Sequence, residues 1–518
     1  MNTTMNVSPR KAGIVAMALA SVLVTGCQSA VQQAEDQAAA PSAAASCQAG
    51  GTLTIASSQP ALLNNVLAQS QANLGWVRAV FEPLVNVVNG DYADPQPALA
   101  TEWAYADDDR SVVLTLRDGV TFHSGRALTA ADVVWTFQKA LEPATTSDVK
   151  AILAGWTVEA TGDMEVTITS ESPLSPVLAS TLSLTPILDS ETYDELASGA
   201  QIVGTGPFTV QSYTPGGDMV LVRNDAYWGE AAPLDEIVVT LITDSTAQVS
   251  AIRSGRTQLS LGLTIQDATT VSTDPQYQLV DTVFGAYPLV LDPSGPLADV
   301  AVRKAIDMAI DRARINEQVF SGQGTTTGLY WSPTAEDYPA DLENAVPYDP
   351  DAARQMIEEA GATGAAVPIT ILATPVLQAE YEIIANNLTA IGLVPSVNAL
   401  ASADYQQRLA AGQGGTYLSL RGINGGASFA VQTNADLRLA NPHRTFASPE
   451  YTDLVTGVVQ AGADESADAV HALTEYMIDQ SFVLPMVTST GKGLATADLV
   501  NATFALGGLV PTETCLAQ

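Results

Sequence analysis

From Gly51 onward the apolar residues follow two different spacings. Residues 52–56 (Thr-Leu-Thr-Ile-Ala) alternate, which predicts a strand. Residues 111–117 put Val112, Leu114 and Leu116 on one face, and Asp118-Gly119 ends them as a turn. Strands are also predicted at 164–169, 220–223 and 237–242, and a helix at 74–81, stopped ahead of Pro83. Thr129-Ala130-Ala131-Asp132 reads as a capping-box start, followed by a stripe of Val133, Val134, Phe137, Ala140 and Leu141. After residue 290 helices dominate. Asp299 should cap a helix with the stripe Val302, Ala305, Ile306, Ala309, Ile310 and Ala313. Asp349-Pro350 opens another, with Ala353, Met356, Ile357 and Ala360 inside and Gly361 as its stop. Further helices are predicted from Ser448-Pro449 through Val459 and at 466–480. A strand at 369–373, a helix at 381–391 and a strand at 393–397 give a β-α-β rhythm, with Pro395 confining the last strand to an edge. The strand-rich first part and helix-rich second part predict an α/β chain of two lobes.

The N-terminus has a different pattern. Arg10 and Lys11 precede an apolar run at 14–24, shorter than the ~20 residues of a membrane span. The run ends in Leu23-Val24-Thr25-Gly26-Cys27, which resembles a bacterial lipobox. The resemblance implies a signal peptide over 1–26 and a lipid on Cys27; the alternative is an ordinary secretory signal with a chance cysteine. Residues 28–46 are rich in Ala, Gln and Ser without apolar periodicity, so 27–47 reads as a flexible tether. The chain is then expected outside the cytoplasm, anchored to the bacterial cell membrane by lipid rather than by a span.

Composition narrows the function. At ~150 residues per domain, 518 residues predict about three domains. With 47% hydrophobic residues the chain can bury a large core. Its 56 acidic against 21 basic residues leave a net charge of −35, which disfavours nucleic acid as a partner. Three histidines are too few for a multi-His metal centre, and no metal or cofactor is expected. His443 and His471 read as chance placements, His123 as a packed, hydrogen-bonded histidine, and Asp107-Asp108-Asp109 as a solvated hairpin tip. Cys47 and Cys515 remain once Cys27 is lipidated; a disulfide and two free thiols are both open, and an oxidising location favours the disulfide. Gly-x-Ser-x-Gly and His-Glu-x-x-His are absent from the sequence, so it carries no hydrolase signature of those kinds.

Several segments together resemble family 5 extracellular solute-binding proteins of ABC importers, the peptide, nickel and related-solute group. The first is Leu99-Ala100-Thr101-Glu102-Trp103, then Arg117-Asp118-Gly119-Val120-Thr121-Phe122-His123-Ser124-Gly125, then 129–141. The family usually has His-Asp-Gly where His123-Ser124-Gly125 stands. Gly204-Thr205-Gly206-Pro207-Phe208 follows, continued by Arg223-Asn224 and Tyr227-Trp228-Gly229. Val302-Arg303-Lys304-Ala305-Ile306 with Ala309-Ile310-Asp311-Arg312 is the third segment, and Tyr348-Asp349-Pro350-Asp351-Ala352-Ala353 the fourth. These segments stand in family order over about 99–361.

The resemblance implies a two-lobed periplasmic-binding-protein-like fold of type II, with a hinge between the lobes. Lobe I would take 48–87, 200–283 and 486–518, with an inserted subdomain at 88–199; lobe II would take 284–485. Both chain ends then fall in lobe I, which adds support for the Cys47–Cys515 bridge. The resemblance also implies ligand contacts around Gln71, Asn73 and Trp76, and in the loop after 417–420. Peptide binders of the family carry an aspartate in that loop, whereas here it reads Arg421-Gly422-Ile423-Asn424-Gly425-Gly426. Arg421 and Asn424 are therefore expected to meet an acidic or polar solute group, or Arg421 forms an internal ion pair. Trp76, Tyr330 and Trp331 are candidates for lining the cleft or for the core. The implied function is non-enzymatic capture of a small solute, an oligopeptide or related polar compound, by a monomer that delivers it to an ABC permease and ATPase. A sensor or surface lipoprotein on the same fold, and an extracellular hydrolase, are the alternatives.

Overall fold

The computed structural model describes residues 47–88, 90–439 and 446–517. The expected signal peptide, Cys27 and most of the tether lie outside these residues, as does His443. No described helix is long and apolar enough to cross a membrane.

Along the chain, β1 (Thr52–Ser57) leads through turns to the short helix α1 (Val77–Val80). A four-stranded antiparallel sheet follows, built from β2 (Ala100–Tyr105), β3 (Ser111–Leu116), β4 (Trp156–Gly162) and β5 (Glu165–Ser170) in the order β2-β3-β5-β4. Helix α2 (Ala130–Leu141) lies between β3 and β4 in sequence, and α3 (Ser175–Leu184) follows β5. The Thr129 backbone N–H donates to Asp132 Oδ2 at 3.1 Å, so the capping-box start is real.

Strands β6 (Phe208–Tyr213), β7 (Met219–Arg223), β8 (Glu236–Leu241), β9 (Leu259–Ser260) and β10 (Tyr277–Val290) come next. Then follow α4 (Val300–Ala309), α5 (Arg312–Val319), α6 (Pro350–Glu359), β11 (Ala366–Leu372), α7 (Pro375–Ala390), β12 (Val394–Leu400) and β13 (Thr416–Leu418). The chain closes with α8 (Ala427–Thr433), α9 (Pro449–Gln460), α10 (Ala463–Gln480) and β14 (Val483–Thr496). One large mixed sheet has the order β12-β11-β13-β10-β14-β9-β1-β8-β7-β6. The edge position expected for the Pro395 strand is that of β12.

Two expectations fail for local reasons. The helix predicted at 74–81 shrinks to α1, because the Asn73 side chain holds the backbone of Leu62 and Asn65 and draws the chain into turns. The stripe of Val302 to Ala313 is two helices. Ile310 is extended, and Asp311 caps α5 by accepting from the Arg314 N–H at 2.9 Å. Ala313 is consequently exposed on α5.

The apolar residues bury in separate groups. One draws on 53–261 with Phe429 and on 495–509. Two others draw on 287–487 and 290–483, the last holding Phe446 stacked on Phe482 at 4.2 Å. β10 and β14 pair along almost their whole length and run from one group to the others, so the expected boundaries at 283/284 and 485/486 fall inside continuous strands. Their register shifts between Asp281 and Phe284 and between Tyr287 and Pro288. The short strand Cys47–Gln48 pairs with Cys515–Ala517, and Cys47 and Cys515 form a disulfide with Cα atoms 5.6 Å apart.

Candidate functional site

The segment after β13 continues along β10, where Gly422 and Arg421 pair with Gly285 and Ala286. There the Arg421 guanidinium forks onto Asp436, Nε to Oδ2 at 2.9 Å and Nη2 to Oδ1 at 2.7 Å. Tyr417 and Ser419 donate their hydroxyls to the same carboxylate at 2.9 and 3.0 Å. Burial alone would push Asp436 up, but Arg421 and these donors hold it below the usual carboxylate range. Arg421 thus has its counter-charge inside the protein, the internal ion pair that was one of the two readings left open by the sequence.

Beyond Arg421 the loop bridges to the first part of the chain. Asn424 Nδ2 donates to Gln69 Oε1 at 3.0 Å, and Tyr92 OH to Ile423 O at 3.4 Å. Thr334 Oγ1 donates to Gly90 O at 3.0 Å, and Gln460 Nε2 to Ser172 Oγ at 2.9 Å. Beside Tyr92 and Thr334 lies a cavity of about 210 Å³, lined also by Ser175, Asp337, Gly426 and Ser466 among others. Asp337 Oδ2 accepts from Ser466 Oγ at 2.8 Å, while its Oδ1 is buried without a partner.

The other expected contacts divide. Asn424 stands in the bridging loop. The Gln71 side-chain amide donates to Leu261 O, and the residue itself is exposed. Asn73 is buried, and its Oδ1 takes the Leu62 N–H and the Trp76 indole N–H at 3.0 Å each. Trp76 is packed edge-on to Phe81 in the core, where the Asn73 side chain accepts from its indole. Tyr330 and Trp331 are also core residues; Trp331 donates to Thr474 Oγ1 at 2.7 Å.

The motif residues are braces. His123 Nε2 meets Gly206 O at 2.9 Å and its Nδ1 accepts from the Gly204 N–H at 3.3 Å, while burial holds its pKa down. A Cβ at Gly204 or Gly206 would lie 2.0 Å from Val80 O or 2.4 Å from Ala79 O, so only glycine allows that approach. Thr205, Tyr227 and Trp228 converge on buried Glu82, at 2.9, 2.6 and 3.0 Å. Burial pushes Glu82 up to about 7 against those hydrogen bonds. His471 pairs with Asp341 at 3.0 Å, and no cluster of metal-ligating side chains occurs among the described residues. Sequence reading missed Gln69, Glu82, Asp337 and Asp436. Only Glu82, next to Pro83 in an apolar run, carried a signal that something charged had to be buried.

Comparison with known proteins agrees with this architecture. A profile for bacterial extracellular solute-binding proteins, family 5 Middle, matches residues 94–434. Heme-binding protein A of Haemophilus influenzae is 28% identical over 368 residues, 64% of this chain and 67% of that protein. Probable di/tripeptide-binding protein 5 of Pseudomonas aeruginosa is 28% identical over 293 residues, 50% of this chain and 55% of that protein. The chain therefore spans about half to two thirds of the length of these relatives. The periplasmic binding protein DppA of Helicobacter pylori, solved with the peptide STSA, superposes with a TM-score of 0.77 at 19% identity. That match covers 91% of this chain and 99% of that one, and shows a common fold. On the profile match and this fold, the chain belongs to the family 5 bacterial extracellular solute-binding proteins.

Proposed function

We propose that this chain captures a small polar solute, an oligopeptide or a related compound, and delivers it to the permease of an ABC importer. The solute sits between two lobes. Lobe I comprises 48–87, 200–283 and 486–518 with the insertion at 88–199, and lobe II comprises 284–485. The carrying observation is the set of polar contacts joining Gln69, Gly90, Tyr92 and Ser172 to Asn424, Thr334, Ile423 and Gln460, with a cavity beside Tyr92 and Thr334. Such contacts, exchangeable for contacts with a solute, let a ligand set the balance between open and closed states. The interrupted pairing of β10 with β14 near Asp281 is a natural place for the hinge. The di/tripeptide-binding relative supports a solute of this size and polarity. Lipid on Cys27 holds the protein at the outer face of the membrane.

The test is to secrete residues 28–518 from a bacterial host and identify the co-purifying solute by native mass spectrometry. A stoichiometric small peptide or polar compound, released on unfolding, is expected. Protein free of solute, inert towards a library of peptides and polar metabolites in thermal-shift assays, would sink the reading. The anchor is tested separately. Full-length chain should partition into detergent and incorporate labelled palmitate, and Cys27→Ser should do neither.

A further inference from the structure

The loop that bridges to the first part of the chain contains an Asn-Gly pair, Asn424-Gly425. The fold fixes both halves of it. Asn424 Nδ2 donates to Gln69 Oε1 at 3.0 Å. Gly425 has a φ of +95°, and a Cβ on it would lie 2.5 Å from Ser180 Oγ and 3.1 Å from Phe429 Cβ, so a larger residue does not fit. A glycine after asparagine carries no side chain to keep its main-chain nitrogen away from the asparagine Cγ. In the bridged loop both reacting groups are engaged. Gln69 holds the Asn424 amide, and the Gly425 N–H faces the Tyr92 hydroxyl, which itself donates to Ile423 O at 3.4 Å. Gln69 and Tyr92 both belong to the far side of the bridge, so one opening releases the two groups together.

We propose that Asn424-Gly425 is a self-modifying site: whenever the loop is unbridged, Asn424 loses its side-chain amide through a succinimide and becomes aspartate or isoaspartate. The Gly425 nitrogen, its proton passed to solvent, attacks Asn424 Cγ. A C–N bond forms, the Cγ–Nδ2 bond breaks, and ammonia leaves with a proton from solvent. Water then opens the imide at either carbonyl, and nothing is oxidised or reduced. Aspartate no longer donates to Gln69 Oε1. It can instead accept from Gln69 Nε2, which is buried without a partner while residue 424 is asparagine. Isoaspartate inserts a methylene into the main chain next to a glycine that has no room to shift towards Ser180. Either product changes the bridge, so the loop records the time it has spent open. This rests on the opening and closing in the reading above and requires no particular solute.

The test is to incubate the folded chain in mildly alkaline buffer and follow residue 424 by peptide mapping, reading the mass gain of amide-to-acid exchange and the separate elution of isoaspartate. A synthetic peptide of residues 419–430 supplies the unrestrained rate. The parent should convert at Asn424 more slowly than the peptide. Gln69→Ala and Tyr92→Phe, each cutting one tie, should convert at least about tenfold faster than the parent. Gln69→Glu keeps an acceptor for Asn424 Nδ2 and should stay at the parent rate, which a general loosening of the fold would not produce. Conversion of the peptide with none at Asn424 in any of the proteins overturns the site. Equal rates in the parent and both tie-cutting variants, or a Gln69→Glu variant as fast as Gln69→Ala, overturn the control by the bridge. Those failures leave solute capture standing, whereas bridge-controlled conversion in a protein that captures nothing removes the solute reading and leaves the modification site.

Discussion

At the residue scale, buried charges decide most of what is specific to this chain. Asp436 is fully buried against a mostly buried Arg421, and removing the partner of a buried charge costs about 3–5 kcal/mol. Arg421→Met should therefore lower the unfolding free energy by about that amount in urea titrations, and restoring apolar balance with Asp436→Leu should recover part of it. Glu82 makes a different prediction. Its carboxyl sits near 7 in the folded protein against an ordinary 4.5, so the folded state binds the proton more tightly than the unfolded chain. Stability contributed by that proton is complete below about 4.5 and is lost as pH rises through about 7. Asp148, also pushed up, to about 6, adds to the same slope, so the contribution of Glu82 is read as a difference. Between pH 5 and 7.5 the melting temperature of Glu82→Gln should fall less steeply than that of the parent. Parallel curves would show that Glu82 titrates normally.

At the element scale, local signals located most segments and their caps. The Thr129 start, the Asp299 and Asp349 caps, and the Pro395 edge strand stand where spacing and turn chemistry put them. The failures are equally physical. Ile310 continues the apolar spacing of α4, yet Asp311 offers a second cap, and the backbone takes it. Asp311→Ala should cost about 1 kcal/mol, measured as a shift in the denaturation midpoint. The loop of Gly204 and Gly206 is stricter, because it passes the carbonyls of Ala79 and Val80 too closely for a side chain. Gly204→Ala should either abolish folding or lower the melting temperature far more than a surface Gly→Ala such as Gly457→Ala, whose added Cβ meets nothing within 4 Å.

At the scale of the whole molecule, the Cys47–Cys515 disulfide closes a loop of 468 residues in sequence and ties the first strand to the last. A crosslink of this kind restricts the unfolded chain, with a typical stabilisation of about 2–4 kcal/mol. Cys47→Ser with Cys515→Ser should lower stability by that order and remove the sensitivity of the parent to reductant. The large sheet is shared between the apolar groups through β10 and β14, so these two strands carry the continuity of the fold.

The sequence by itself determined the family, the α/β class, the helix caps and the glycine turns, because these depend on neighbours within a few residues. It also placed two cysteines at the two ends of the folded part. It could not say which buried donors find acceptors, since that depends on residues far apart in the chain. Whether Arg421 met a solute group or an internal acid was open in the sequence, and Asp436, 15 residues on, folds against it. Arg78, in α1, is buried with its Nε left without an acceptor. Burial makes an unpaired polar atom costly, and only tertiary packing decides which atoms are left unpaired.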